Sequence, residues 1–292
     1  MATTAEWIEG ARPRTLPAAI APVSVGVGIA IGAGAFNVFR SALALVVAVA
    51  LQIGVNYSND YSDGIRGTDR VRVGPIRLVG QELAEPTEVR RMAFAFFGIA
   101  MLSGALLVLL TTQWWLLGVG AASVAAAWFY TGGSRPYGYA GLGELFVFVF
   151  FGLVPVMGTA YVQTLQLSPL AFWAGVGVGS LACSILIANN LRDIPGDTEH
   201  GKKTLAVRLG DRSTRILFYV SIGAGFAAPV ITSFLATPFT LVALIALPFA
   251  VAPIRRVASG ARGPELIPVL KATGILLLIY GFAFGTGLAF GA

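Results

Sequence analysis

Nine long apolar runs, separated by short polar or Pro/Gly-rich connections, set the rhythm of this 292-residue chain. They lie near 15–35, 41–58, 92–110, 114–131, 143–163, 170–190, 213–233, 237–254 and 267–290. A membrane helix needs about 20 predominantly apolar residues. The pattern therefore predicts an all-α integral membrane protein of about nine transmembrane helices. The longest polar segments, 59–91 and 191–212, leave no room for a soluble domain, so residues 1–292 read as one transmembrane domain. Arg12 and Arg14 precede a long apolar run without an A-x-A-like exit, which predicts a retained first helix rather than a cleaved leader.

Composition sharpens the class. Charged residues make up 12% of the chain and hydrophobic ones 56%, whereas soluble domains carry about 25% charged residues. Gly28 and Gly32 have the spacing that lets membrane helices pack closely. Cys183, the only cysteine, falls in an apolar run and reads as a small core residue.

Charge is one-sided. With the N-terminus cytoplasmic, every basic residue except Arg40 falls on the cytoplasmic side or at its border, and so do all 14 acidic residues. Positively charged loops stay cytoplasmic, so the expected orientation is N-in, and nine crossings put the C-terminus outside.

Two acidic segments stand out: NYSNDYSDGIRGTD (56–69) after the second run and ANNLRDIPGDTEHGKKT (188–204) after the sixth. Four crossings separate them, which brings both to the same membrane face. Asn56 stands four before Asp60, and Asn189 four before Asp193, so each helix end aims an amide and a carboxylate along one face. Asp63 extends the first face. Pro195 disfavours helix at Ile194, which places Asp197 on a turn. Arg66, Arg70, Arg72 and Arg77 follow the first cluster; Arg192, Lys202 and Lys203 surround the second. Mg²⁺ is typically held by one or two carboxylates plus substrate phosphates, and basic side chains grip the same phosphates. The pattern fits a diphosphate clamp. The competing reading, solvated charges that set topology, suits the basic residues better than the aspartates, because acids contribute little to orientation.

A third segment on that side, YTGGSRPYGYAGLGE (130–144), carries Arg135 as its sole base. Arg135 is a candidate for binding an anionic aromatic substrate or the diphosphate. Tyr130, Tyr137 and Tyr139 read as interfacial anchors or site residues, and His200 as a solvated bystander.

Taken in order, RPRTLPAAIAPV (12–23), NDYSDGIRGTD (59–69), RPYGYAGLGE (135–144) and NNLRDIPGD with GKKTLAVRLG (to 210) resemble the UbiA superfamily of intramembrane aromatic prenyltransferases, closest to its naphthoate branch. The resemblance covers nearly the whole chain. It implies nine helices around a central cavity with a lateral opening to lipid, in a multi-pass protein of the cell membrane. It also implies Mg²⁺, two ions, with polyprenyl diphosphate and an aromatic acid as substrates. The implied reaction is polyprenyl transfer to 1,4-dihydroxy-2-naphthoate with loss of CO₂ and diphosphate, giving demethylmenaquinol. Asp60 and Asp63 match the first metal–diphosphate motif, and Asp193 and Asp197 the second. Asn56 and Asn189 match helix-borne polar partners, and Lys202 a diphosphate-neutralising lysine. Asn59, Arg66, Arg135, Tyr137, Tyr139, Asn190 and Arg192 complete the expected substrate-binding set. One departure is plain: the superfamily's NDxxDxxxD places its last acid at position 67, which is Gly67 here, and the next acid is Asp69, expected as a further metal ligand.

Rival classes are an enzyme of the same superfamily acting on another aromatic acceptor, a transporter, and a phospholipid-synthesising phosphotransferase. Transporters place ionisable groups near mid-membrane, where these helix centres have none, and the phosphotransferase pattern DGxxAR is absent. No nucleic-acid partner is expected.

Overall fold

The computed structural model describes residues 2–67 and 76–290. Every regular element among them is helical: α1 (Thr4–Gly10), α2 (Pro17–Gly32), α3 (Val38–Ile65), α4 (Pro86–Thr111), α5 (Leu116–Phe129), α6 (Gly143–Thr164), α7 (Pro169–Glu199), α8 (Leu205–Leu235), α9 (Pro238–Ala258) and α10 (Gly263–Ala289). Each of the nine apolar runs falls on one of α2 to α10. Among the described residues, seven helices (α3, α4 and α6 to α10) are long and apolar enough to cross a membrane. The segments Thr4–Thr15 and Pro17–Gly32 pass only as one span bent by 49°. Helix α5, with 14 residues, covers ~21 Å at 1.5 Å per residue, short of a ~30 Å hydrocarbon core. The chain is a multi-pass membrane protein.

Helix ends depart from the apolar runs for local reasons. Helix α4 begins at Pro86 rather than near 92, because Glu85 and Glu88 cap it reciprocally and Pro86 occupies the first turn, where no N–H is needed. Helix α3 continues past residue 58 to Ile65 through the whole first acidic segment. The expected turn at Asp197 is corrected: α7 runs through Pro195 to Glu199. A proline in the penultimate turn removes one backbone bond, and the packing of α7 along α8 outweighs that loss. Asp193 and Asp197 consequently lie four residues apart on one continuous helix.

Backbones approach closely where α2 meets α10. A Cβ at Gly28 would land on the Gly285 carbonyl and one at Gly32 on the Leu288 carbonyl, so both positions exclude a side chain. The main core lies between α7, α8 and α10, with Leu181, Ile187, Phe218, Leu276 and Phe284 buried. Tyr280 is also buried there, and its hydroxyl donates to the Gly225 carbonyl at 2.8 Å, so the phenol is not left unpaired in an apolar medium.

The two ends of the bundle differ. At one end Arg40 staples three helix ends together, donating to the Val162 carbonyl at 3.0 Å and the Leu110 carbonyl at 3.2 Å. The other end gathers the N-terminal segment, the end of α3, the 130–142 connection and the end of α7. Between them α2 to α7 wall a cavity of about 610 Å³.

Candidate active site

The cavity is apolar over most of its surface and polar where α3 leaves the apolar run. Gln52, Asn56 and Asn59 line it from α3, and Tyr130 and Tyr137 from the third polar segment. Asn59 accepts a hydrogen bond from the Thr131 hydroxyl at 2.8 Å. Asp63 follows one turn beyond Asn59 on the same face.

Asp63 is where the three polar segments meet. It accepts a hydrogen bond from the Tyr139 hydroxyl and stands 3.7 Å from the Lys202 ammonium. The same ammonium lies 3.8 Å from Asp197 and 4.5 Å from the centre of the Tyr139 ring. The Arg66 guanidinium lies 5.6 Å from that ring and donates to the carbonyls of Thr131 and Gly133. Lys203 N–H donates to the Tyr139 carbonyl at 2.9 Å, closing the third segment onto the second acidic one. Asp63, Tyr139, Asp197, Lys202 and Arg66 thus form one cluster, assembled from α3, the 130–142 connection and the end of α7.

Other expected site residues serve different contacts. Asp60 is fully buried and accepts from the backbone N–H groups of Leu78 at 2.8 Å and Val79 at 3.1 Å. It fastens the connection after α3 instead of reaching across to α7. Asn56 donates to the Ala11 carbonyl and to the Thr15 hydroxyl, both at 2.9 Å, and so fastens the N-terminal segment. Asp193 takes two bonds from its neighbour Arg192, at 2.6 and 2.7 Å, and Arg192 also donates to Asn189 at 2.9 Å. Asn190 donates to buried Glu144 at 2.9 Å. Tyr137 donates to the Ala126 carbonyl at 2.7 Å and stacks on Phe146 at 3.9 Å. Burial pushes its phenol pKa up, so it stays a neutral donor at working pH. Arg135 is exposed on the 130–142 connection, His200 is exposed at the end of α7, and Asp69, Arg70 and Arg72 lie outside the described residues.

The acids fit a hard cation. Among the described residues no three His, Cys, Asp or Glu stand together as a self-sufficient metal cage. Mg²⁺ needs none, since one or two carboxylates plus substrate phosphates suffice. Asp63 and Asp197 come from different helices and already share one cation, the Lys202 ammonium.

Sequence reasoning passed over Gln52, Glu144 and the stacked Phe146 and Phe150. Gln52 had a signal: it is the one amide in the otherwise apolar stretch SALALVVAVALQIGV, one turn before Asn56. The aromatic pair had none, because Phe residues are ordinary in membrane helices.

Comparison with known proteins adds a second line. The sequence pattern of the UbiA prenyltransferase family matches residues 19–265. The chain is 53% identical over 293 residues to 1,4-dihydroxy-2-naphthoate octaprenyltransferase of Mycobacterium tuberculosis, covering 100% of this chain and 99% of that protein. It is 40% identical over 218 residues to the Escherichia coli protein of the same name, covering 73% of this chain and 71% of that one. Among solved structures, a UbiA homolog from Archaeoglobus fulgidus bound to GPP and Mg²⁺ superposes with a TM-score of 0.70 at 16% identity, covering 96% of this chain and 99% of that one.

Proposed function

The chain belongs to the UbiA prenyltransferase family, and we propose that its site operates as a diphosphate clamp opening onto an apolar reaction chamber. The protein transfers a polyprenyl group from polyprenyl diphosphate to 1,4-dihydroxy-2-naphthoate in menaquinone biosynthesis; a 1,4-dihydroxy-2-naphthoate octaprenyltransferase is 53% identical over the full chain. The observation that carries the clamp is the shared cation: Asp63 of α3 and Asp197 of α7 flank one ammonium beside the polar lining of the cavity.

In this reading Asp63 and Asp197 hold Mg²⁺, two ions in all, with Asp193 and Asp69 as further ligands. When bound, Mg²⁺ offsets the negative charge that grows on the departing diphosphate. Lys202 and Arg66 add fixed positive charge beside the same group. The carbon–oxygen bond of the allylic diphosphate breaks, and a carbon–carbon bond forms to the ring carbon that carries the carboxylate, which leaves as CO₂. The apolar walls exclude the water that would otherwise capture the allylic cation. Asn59 and Tyr137 line the chamber where the ring enters, and Arg135, exposed on the 130–142 connection, meets the anionic substrates on arrival. The one-sided charge supports a cytoplasmic N-terminus, nine crossings and a site facing the cytoplasm.

The direct test supplies the purified protein with 1,4-dihydroxy-2-naphthoate, polyprenyl diphosphate and Mg²⁺, with and without EDTA, and follows product by mass spectrometry. Prenylated, decarboxylated product that disappears with EDTA is expected. Product formed equally in the presence of chelator would remove the metal clamp.

A further inference from the structure

Arg212, Arg255, Arg256, Arg262 and Lys271 are exposed where α8, α9 and α10 reach the clamp end of the bundle. Among the described residues, none from these three helices lines the chamber, so these charges stand apart from the reaction. Residues 205–292 hold seven bases and only two acids, Asp211 and Glu265, which leaves the cations in excess. Arg215 fixes their arrangement. It pairs with Asp211 at 2.7 Å and donates to the Val257 carbonyl at 2.6 Å and the Ala261 carbonyl at 2.8 Å, tying α8 to the turn between α9 and α10. Arg262 lies 3.8 Å from the same Asp211, with its side chain 81% exposed. Arg256 donates to the Glu265 carbonyl at 3.1 Å.

Each of the three helices continues from a cation into open apolar surface on the same face. Ile216 follows Arg212 by four residues, Val251 precedes Arg255 by four, and Ile275 follows Lys271 by four. Each apolar side chain therefore lies one turn deeper along its membrane-spanning helix, in line with the cation. All three are exposed, at 52%, 43% and 42%. Fixed positive charge with open apolar surface beneath it complements a lipid that carries a phosphate head and acyl tails. A soluble phosphate would need the charge alone. Orientation in the membrane depends on the count of bases and little on neighbouring acids. At the start of α4, for comparison, Arg90 and Arg91 come with Glu85 and Glu88.

We propose that the exposed cations of α8, α9 and α10 bind the head groups of anionic phospholipids, whose acyl chains lie against Ile216, Val251 and Ile275. A cluster of about 4–8 bases at the end of a membrane helix is the size that recognises such lipids. The surface is separate from the chamber and its lipid takes no part in prenyl transfer.

The test uses the purified full chain in neutral detergent and follows displacement of a fluorescent phosphatidylglycerol by unlabelled phosphatidylglycerol, phosphatidylcholine or glycerol phosphate. Wild type should prefer phosphatidylglycerol to phosphatidylcholine, and Arg255→Gln/Arg256→Gln should lower that preference about fivefold for each charge removed. Arg90→Gln/Arg91→Gln removes as much charge at the same end of the bundle and should leave the preference unchanged. Equal loss in the two double variants would mean that net charge alone attracts the lipid, and overturns the proposal; so does a wild type with no preference. Displacement by glycerol phosphate as effective as by phosphatidylglycerol would assign the surface to a soluble phosphate and overturn the lipid as its occupant. Should Arg255→Gln/Arg256→Gln fail to accumulate, Arg212→Gln/Lys271→Gln decides on the same readings. Prenyl transfer assayed without anionic lipid should be the same in wild type and in the variants; its loss in Arg255→Gln/Arg256→Gln would place these arginines in the reaction and overturn a separate lipid surface.

Discussion

Asp60 and Asp63 stand three residues apart on α3 and do unlike work. Asp63 faces Tyr139 and Lys202, while Asp60 is spent on two backbone amides of its own connection. Asp63→Ala should abolish turnover with a smaller change in melting temperature than Asp60→Ala. Asp60→Ala should lower stability, because it strands the Leu78 and Val79 amides at about 1–3 kcal/mol each. Activity and thermal unfolding of both variants in detergent check the contrast; equal melting temperatures would break it. The local pattern NDYSD presents both acids at one helix end, and their difference comes from residues 76–80 folding back, which no short spacing encodes. At Asp193 the contact is local instead: the adjacent Arg192 donates to the carboxylate at 2.6 and 2.7 Å.

At the scale of elements, hydropathy located every helix from α2 to α10, and what it missed was their ends. Capping by Glu85 and Glu88 lengthened α4, and helix packing carried α7 through Pro195. Rules written for isolated turns undervalue a helix that is buried along its length. The Gly28–Gly32 spacing was legible, but its partner was not, because Gly285 and Leu288 lie more than 250 residues away in the chain. Gly28→Val should separate α2 from α10 and cost about 1–3 kcal/mol or more through overpacking. Gly223→Val on α8, where nothing lies within 4 Å of a new Cβ, is the matched control. The fraction of protein remaining monodisperse after heating separates them; equal survival would show that the two helices yield to the side chain.

Across the whole molecule, basic residues betray which end carries the chemistry, since one end is rich in them and the other holds Arg40. The cavity was not legible, because its walls come from six separate helices and only their packing creates the volume. Orientation can be measured in a Cys183→Ala background with single thiols at Arg135→Cys and Phe36→Cys. A membrane-impermeant reagent should reach the first only from the cytoplasm and the second only from outside; the reverse pattern would invert the proposed topology. The Arg40 staple has a last consequence. It ties α3, α4 and α6 at the end away from the acidic cluster, and in the proposed clamp the incoming head group and the spent pyrophosphate are both held at that cluster. Turnover then proceeds as a queue, in which the by-product must clear the threshold before the next donor can take its place.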